Sequence, residues 1–212
     1  MLAGTLRSHG VYFGDVLDQN IQHNPKGLQE APAILYMHED LLVKNGGSWH
    51  TPPDTIEWQP MHKAVRDLYI ESRQSHACWA FKDPRTLLVL DGWLDVLPSL
   101  KAIGIFRHPA EVAASIHKRN GFDIDKCLDI WITYNQRLLT HRERLGFPIL
   151  EFVGDGIQMQ ASIQKAIQSL ELETPDSGIP FFEADLKHQN RPTMDLPEPA
   201  LSLYRALQSN AL

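Results

Sequence analysis

The stretch Lys101-Ala102-Ile103-Gly104-Ile105-Phe106-Arg107-His108-Pro109, with Ser115 eight residues beyond the arginine, decides how the chain is read. The run up to Phe106 is short and apolar and ends at a proline, which is the pattern of a strand buried on both faces of a parallel sheet. Pro109 suits the first turn of a helix, so the chain is expected to turn at His108 and run helical through Ala113, Ala114 and Ser115. A guanidinium at the end of such a strand offers a rigid fork of donors that fits phosphate bidentately, and a hydroxyl one helical segment later reaches the same anion. The alternative reading of this spacing is an arginine salt bridge beside a helical serine.

Working outward, strand-like runs occur over 78–81, 102–106 and 149–153, each separated from the next by a helical pattern. Such alternation predicts an α/β fold: a parallel sheet flanked by helices on both faces. A helix is predicted over 31–43 from Ile34, Leu35, Leu41 and Leu42, and a second from Met61, Val65, Leu68 and Tyr69. A third, over 124–145, turns Cys127, Leu128, Trp131, Leu138 and Leu139 inward and Arg142, Glu143 and Arg144 outward. Gly46-Gly47 reads as a helix C-cap and turn, because no Lys-Ser/Thr follows to open a phosphate-binding helix. The segments 174–178 and 190–199 are loop-like in their Pro, Gly and Asp content. Ligands of open α/β sheets bind beyond the carboxyl ends of the strands, where Lys82 and Arg107 both fall.

With 212 residues, 43% of them hydrophobic, the chain can bury one sizeable core and is expected to form one domain over 1–212. A net charge of −6 argues against nucleic acid or an anionic membrane surface as the main partner. It leaves room for a polyanionic nucleotide, which needs only a few placed donors and cations. Cys78, in a predicted buried strand, and Cys127, on a predicted helix, read as small core hydrophobes, with no disulfide framework or metal motif. No basic start with an apolar stretch and no long apolar run is present, so a cytoplasmic setting is the expectation.

Three further stretches give the pattern a family likeness. They are Cys78-Trp79-Ala80-Phe81-Lys82-Asp83-Pro84-Arg85, Arg119-Asn120-Gly121-Phe122 and Trp131-Ile132-Thr133-Tyr134-Asn135. In this order the chain resembles the sulfotransferases that use 3′-phosphoadenosine-5′-phosphosulfate (PAPS) as sulfonate donor. It resembles the bacterial sulfotransferase-like proteins most and the tyrosylprotein sulfotransferases more distantly, from Met1 to a final helix over 199–207. The resemblance implies a P-loop NTPase-like sulfotransferase fold, PAPS or its product PAP as ligand, no metal, and Arg107 and Ser115 on the donor's 3′-phosphate. Members of the family open with a strand and a P-R-S-G-T-S/T loop for the 5′-phosphosulfate, ahead of a helix that reads much like Met1-Leu2-Ala3-Gly4-Thr5-Leu6. The expectation is therefore a domain lacking its first strand and phosphate loop, with Met1 an internal methionine of a longer reading frame.

Sulfonate transfer needs a base for the acceptor hydroxyl, a cation on the leaving oxygen and an anchor for phosphate. By resemblance to the tyrosylprotein enzymes, Lys82 of the Lys-Asp-Pro segment is the cation and Glu30, ending Asn24-Pro25-Lys26-Gly27-Leu28-Gln29-Glu30, is the base. The alternatives are a surface pair of Lys82 with Asp83 or Asp91, and a glutamate that serves the helix dipole. Arg85 is expected to contact nucleotide or substrate, or else to pair with Asp83 or Asp91. Histidine is the rival base, with His9, His23 and His108 nearest the expected site. Residues 181–190 resemble the late loop over the adenosine, which would bring Lys187 and His188 to the 3′-phosphate side. His38-Glu39-Asp40 reads as a solvated helix face without metal-ligand spacing, and no Gly-x-Ser-x-Gly elbow is present.

The expected activity is thus transfer of a sulfonate from PAPS to an acceptor hydroxyl, on a small molecule, a carbohydrate or a peptide. Trp49, His50, Trp58 and the Pro52-Pro53 loop are expected at the acceptor's entrance. Loss of the phosphate loop opens a second reading, a degenerate member that binds nucleotide without transfer. A third is a structural or partner-binding protein, a homo-oligomer among the forms allowed, paired through an uncovered sheet edge. A kinase-like phosphotransferase ranks last, because neither a phosphate loop nor a magnesium carboxylate is evident.

Overall fold

The computed structural model of the chain describes residues 2–17, 27–153, 156–172 and 194–212. Those up to Leu100 form one compact unit and those from Lys101 onward form a second. The architecture is mixed and helix-rich, of the general α/β class, with a small parallel sheet.

In the first unit, helix α1 covers Leu2–Ser8, α2 Pro32–Lys44 and α3 Pro60–Glu71, followed by two single-turn helices, α4 over Thr86–Val89 and α5 over Asp91–Leu94. Proline opens both α2 and α3, where its missing N–H costs nothing. α2 buries Ile34, Met37, His38, Leu41 and Leu42 and packs against α3. The inward face of α3 is His62, Arg66 and Tyr69, while Met61 and Leu68 lie in solvent. Of the apolar set expected to face inward, Tyr69 is buried and Val65 half-buried, while Met61 and Leu68 are not. Arg66 can be buried because its guanidinium donates to Gly92 O and Asp67 Oδ1 and lies 5.4 Å from the Trp58 ring. Around it Trp93, Trp58, Phe81 and Tyr69 meet edge to face or tilted, the favoured geometries for aromatic rings. A Cβ on Gly92 would stand 2.2 Å from the Trp58 ring, so glycine is what lets the indole close on that backbone.

The predicted strand over 78–81 does not form as an element. Only a parallel bridge between Tyr12 and Trp79 marks it, and Cys78 is exposed where burial was expected. Gly46 adopts φ +79° directly after α2, the turn expected of the Gly46-Gly47 pair.

In the second unit, strand β1 (Gly104–Phe106) pairs in parallel with β2 (Ile149–Glu151), Gly104 opposite Ile149 and Phe106 opposite Glu151. Between them run α6 (Pro109–Asn120) and α7 (Ile124–Leu145), and after them α8 (Gly156–Ser169) and α9 (Glu198–Asn210). His108 caps α6, its ring Nδ1 accepting from Ala110 N at 3.2 Å. Both α6 and α7 end at a left-handed glycine, Gly121 and Gly146, each with φ +72°. α7 lies on β1 and buries Cys127, Leu128, Trp131 and Leu138 as its periodicity predicts, with Ile130, Asn135 and His141 added, while Leu139, expected inward, is half-buried. Gly104 is the tight point of this packing: a Cβ there would fall 2.5 Å from Leu138 Cδ1 and 2.8 Å from Ile149 Cγ2. α8 and α9 pack on β2, and Tyr204 and Gln208 of α9 donate to the Glu151 carboxylate.

Candidate functional site

In the first unit, residues 27–30 are bent by two left-handed backbones, Gly27 at φ +68° and Gln29 at φ +57°. The second is unusual for a side chain of that size and persists only where neighbours hold it. They do so here: Gln29 N donates to Leu17 O and Leu17 N to Glu30 O, each at 2.9 Å, while Arg7 donates to Gln29 Oε1 at 2.7 Å. This frame delivers Glu30, its side chain only 6% exposed, just ahead of α2. From the turn beyond Phe81, Lys82 Nζ donates to Glu30 Oε1 at 2.5 Å and to Leu28 O at 3.3 Å, with 40% of the lysine side chain in solvent. The two residues that the resemblance gives as base and cation are thus one ion pair. The carboxylate sits inward and the ammonium reaches solvent.

Directly after Lys82, the buried Asp83 is the centre of a denser set. His38, inaccessible on α2, lies with Nδ1 2.8 Å from Asp83 Oδ2, and Trp93 Nε1 donates to His38 Nε2 at 3.0 Å. An indole N–H can only donate, so Nε2 is an acceptor and the imidazole proton resides on Nδ1, facing the carboxylate. Asp83 Oδ1 accepts from Arg85 N at 3.0 Å and Arg85 Nη1 at 2.9 Å, and Arg85 Nη2 reaches Glu39 Oε1 at 2.7 Å. Burial pushes the Asp83 carboxyl up, but His38 and Arg85 together outweigh it and hold the group below the ordinary aspartate range. Burial also opposes the charge on Arg85, and the two carboxylates more than restore it, so its pKa is raised.

The expectation that His38-Glu39-Asp40 forms a solvated helix face is corrected here: His38 is wholly buried. The spacing carried the signal, since His38 falls four residues after Ile34 and four before Leu42, inside the apolar stripe of α2. Arg85 commits its two terminal nitrogens to Asp83 and Glu39. Asp91, offered as another partner, is not among those carboxylates.

In the second unit, Arg107 follows β1 as expected, and Ser115 stands half-buried on α6. Arg107 O accepts from Trp131 Nε1 at 3.0 Å, which ties the turn to α7. Its guanidinium lies 4.4 Å from the Phe152 ring centroid, and Nη2 is 3.4 Å from Oε2 of the buried Glu111. Its Nε is buried without a hydrogen-bond partner among the described residues. Glu111 is four residues from both Arg107 and Ser115, so a carboxylate stands on the helix face between the two groups read as a phosphate clamp.

No family model, curated protein or solved structure matches this chain.

Of the rival bases, His9 is half-buried with Nδ1 2.7 Å from Thr5 O, and His108 serves as the α6 cap. His23, Lys187 and His188 lie outside the described residues. Trp58, expected at an acceptor entrance, is buried in the aromatic core, whereas Trp49 and His50 are half-buried and meet edge to face at 5.2 Å. Among the described residues no group of three or more His, Cys, Asp or Glu could hold a metal ion. No described helix is long and apolar enough to cross a membrane.

Proposed function

We propose that the chain is a sulfotransferase of the PAPS-dependent type, acting on an acceptor hydroxyl with Glu30 as base and Lys82 as the cation beside the leaving oxygen. The observation that carries this reading is the Lys82–Glu30 pair, which joins two residues 52 apart in sequence to which the family resemblance gives those roles. In the reaction the acceptor oxygen bonds to sulfur while its proton passes to Glu30. The bond from sulfur to the bridging oxygen of the phosphosulfate breaks, and PAP leaves carrying the charge that Lys82 meets. Within the second unit, Arg107 and Ser115 are assigned the 3′-phosphate, with Phe152 as the surface against which the guanidinium lies. The finer fold assignment, a P-loop NTPase-like sulfotransferase domain, goes with this reading.

Transfer of label from ³⁵S-PAPS to a panel of carbohydrate, phenolic and tyrosyl-peptide hydroxyls tests the activity, and calorimetric titration with PAP tests the binding. A second reading, a member that holds nucleotide without transferring, is favoured by one specific observation. Lys82, Arg85 and Arg107 are each met by a carboxylate of their own unit. PAP binding without transfer to any acceptor supports that second reading, and absence of both overturns the two together.

A further inference from the structure

Lys82 and Asp83 are consecutive, yet their side chains serve different surroundings: the ammonium is half in solvent against Glu30, and the carboxylate is fully enclosed by His38, Arg85 and the backbone. A buried carboxylate that accepts three hydrogen bonds cannot rotate or shift without leaving a donor unpaired. The backbone between the two residues is thereby fixed from the Asp83 side. His38 is in turn held from two directions, by the helix that carries it and by the indole N–H of Trp93, itself wholly buried. The chain Trp93–His38–Asp83 therefore reaches from the aromatic core to the peptide bond of Lys82.

We propose that His38 is a positioning residue for Lys82: its Nδ1–H, by holding Asp83, keeps the Lys82 ammonium seated on Glu30. This rests on the catalytic reading for its functional meaning, but the seating itself is a property of the folded chain and can be measured without activity. Trp93 fixes the tautomer that makes His38 a donor to Asp83, and Arg85 occupies the other oxygen so that the carboxylate cannot turn away. A role of this kind differs from simple core filling, because a side chain that keeps only the N–H toward Asp83 should preserve it.

The test is competitive acetylation of the full-length folded protein with acetic anhydride, Lys82 read by mass spectrometry against the exposed Lys63 as internal reference. His38→Leu, which keeps bulk and removes the donor, should change the Lys82-to-Lys63 ratio about threefold or more. His38→Asn, whose amide N–H can take the place of Nδ1–H, should keep the wild-type ratio, and Asp83→Asn should reproduce the leucine result. Where transfer is measurable, His38→Leu should lower kcat by about tenfold or more while PAP affinity stays within about twofold, as expected for misplacement of a reacting group.

A wild-type ratio in folded His38→Leu or in folded Asp83→Asn overturns the proposal, as does an asparagine variant that behaves like leucine. If His38→Leu does not fold, the Asp83→Asn and His38→Asn ratios decide. A wild-type protein without transferase activity would remove the catalytic reading and leave the labelling result to stand or fall alone.

Discussion

Lys82 Nζ rests 2.5 Å from Glu30 Oε1, with the carboxylate buried and the ammonium reaching solvent. The pair closes a loop of 52 residues between a strained turn ahead of α2 and the Lys-Asp-Pro-Arg turn. Its asymmetry matters chemically: an inward acceptor and an outward cation suit a step in which a proton moves one way and negative charge grows on the other side. The same pair must open, or be shared, when an anion approaches the lysine.

From this follows the first prediction. Glu30→Gln and Lys82→Met should each lower sulfonate transfer by about 10²–10⁴-fold while leaving PAP affinity nearly unchanged, because base and cation act mainly in the transition state. Initial-rate kinetics beside calorimetry on each variant check it. Full turnover in Glu30→Gln would move the base role to His9 or His23.

Arg107→Ala should weaken PAP binding by about 1.5–3 kcal/mol, the worth of a charge-assisted phosphate bond, and Ser115→Ala by about 1 kcal/mol. Glu111→Gln should act in the opposite direction and tighten PAP, since it removes the carboxylate that faces the Arg107 guanidinium. Calorimetric titration of the three variants decides. Weaker binding in Glu111→Gln would mean that the carboxylate orients the arginine.

Asp83 predicts how stability responds to acid. Its folded-state pKa is lowered, so the stabilisation is fully present above the ordinary aspartate value of about 3.9 and is lost as pH falls through the lower folded value. The melting temperature of the wild type should therefore fall through this acid range more steeply than that of Asp83→Asn, while above about pH 5 the variant should be the less stable protein. Parallel melting curves in both proteins that differ by the same amount at every pH would show that Asp83 contributes no linkage.

Packing offers two contrasts. Gly104→Ala should destabilise by about 1–3 kcal/mol, because the new methyl meets Leu138 and Ile149 at distances that force the α7–β1 contact apart. Combining it with Leu138→Ala, itself expected to cost about 2–5 kcal/mol, should give less than the sum, since the smaller side chain leaves room for the methyl. Urea denaturation of the double-mutant cycle measures the coupling.

On α3, Met61→Gln and Leu68→Gln should each change stability by no more than about 0.5 kcal/mol, while Tyr69→Ala should cost about 3 kcal/mol or more. A large loss from Leu68→Gln would place the apolar pattern, rather than the Arg66 face, inward.

Features governed by local chemistry were legible in the residues themselves. Proline at the first turn and the His108 cap set the start of α6, glycine just past the end stops both α6 and α7, and the 3.6-residue periodicity is written within each helix. That 104–106 and 149–151 are strands of a parallel sheet was legible in their short apolar runs between helices, but not that they pair with each other. Which face of α3 turns inward depends on long-range contacts, since burying Arg66 requires the Gly92 carbonyl and the Trp58 ring, both supplied by other segments. Such contacts also decide that 78–81 bridges Tyr12 without becoming a strand, and that His38 is a buried link rather than a solvated one. Above all they join Glu30 to Lys82 and Asp83 to His38. Residues 45 to 54 apart share no local pattern, and only closure of the chain around a common core can bring their charges within hydrogen-bond distance.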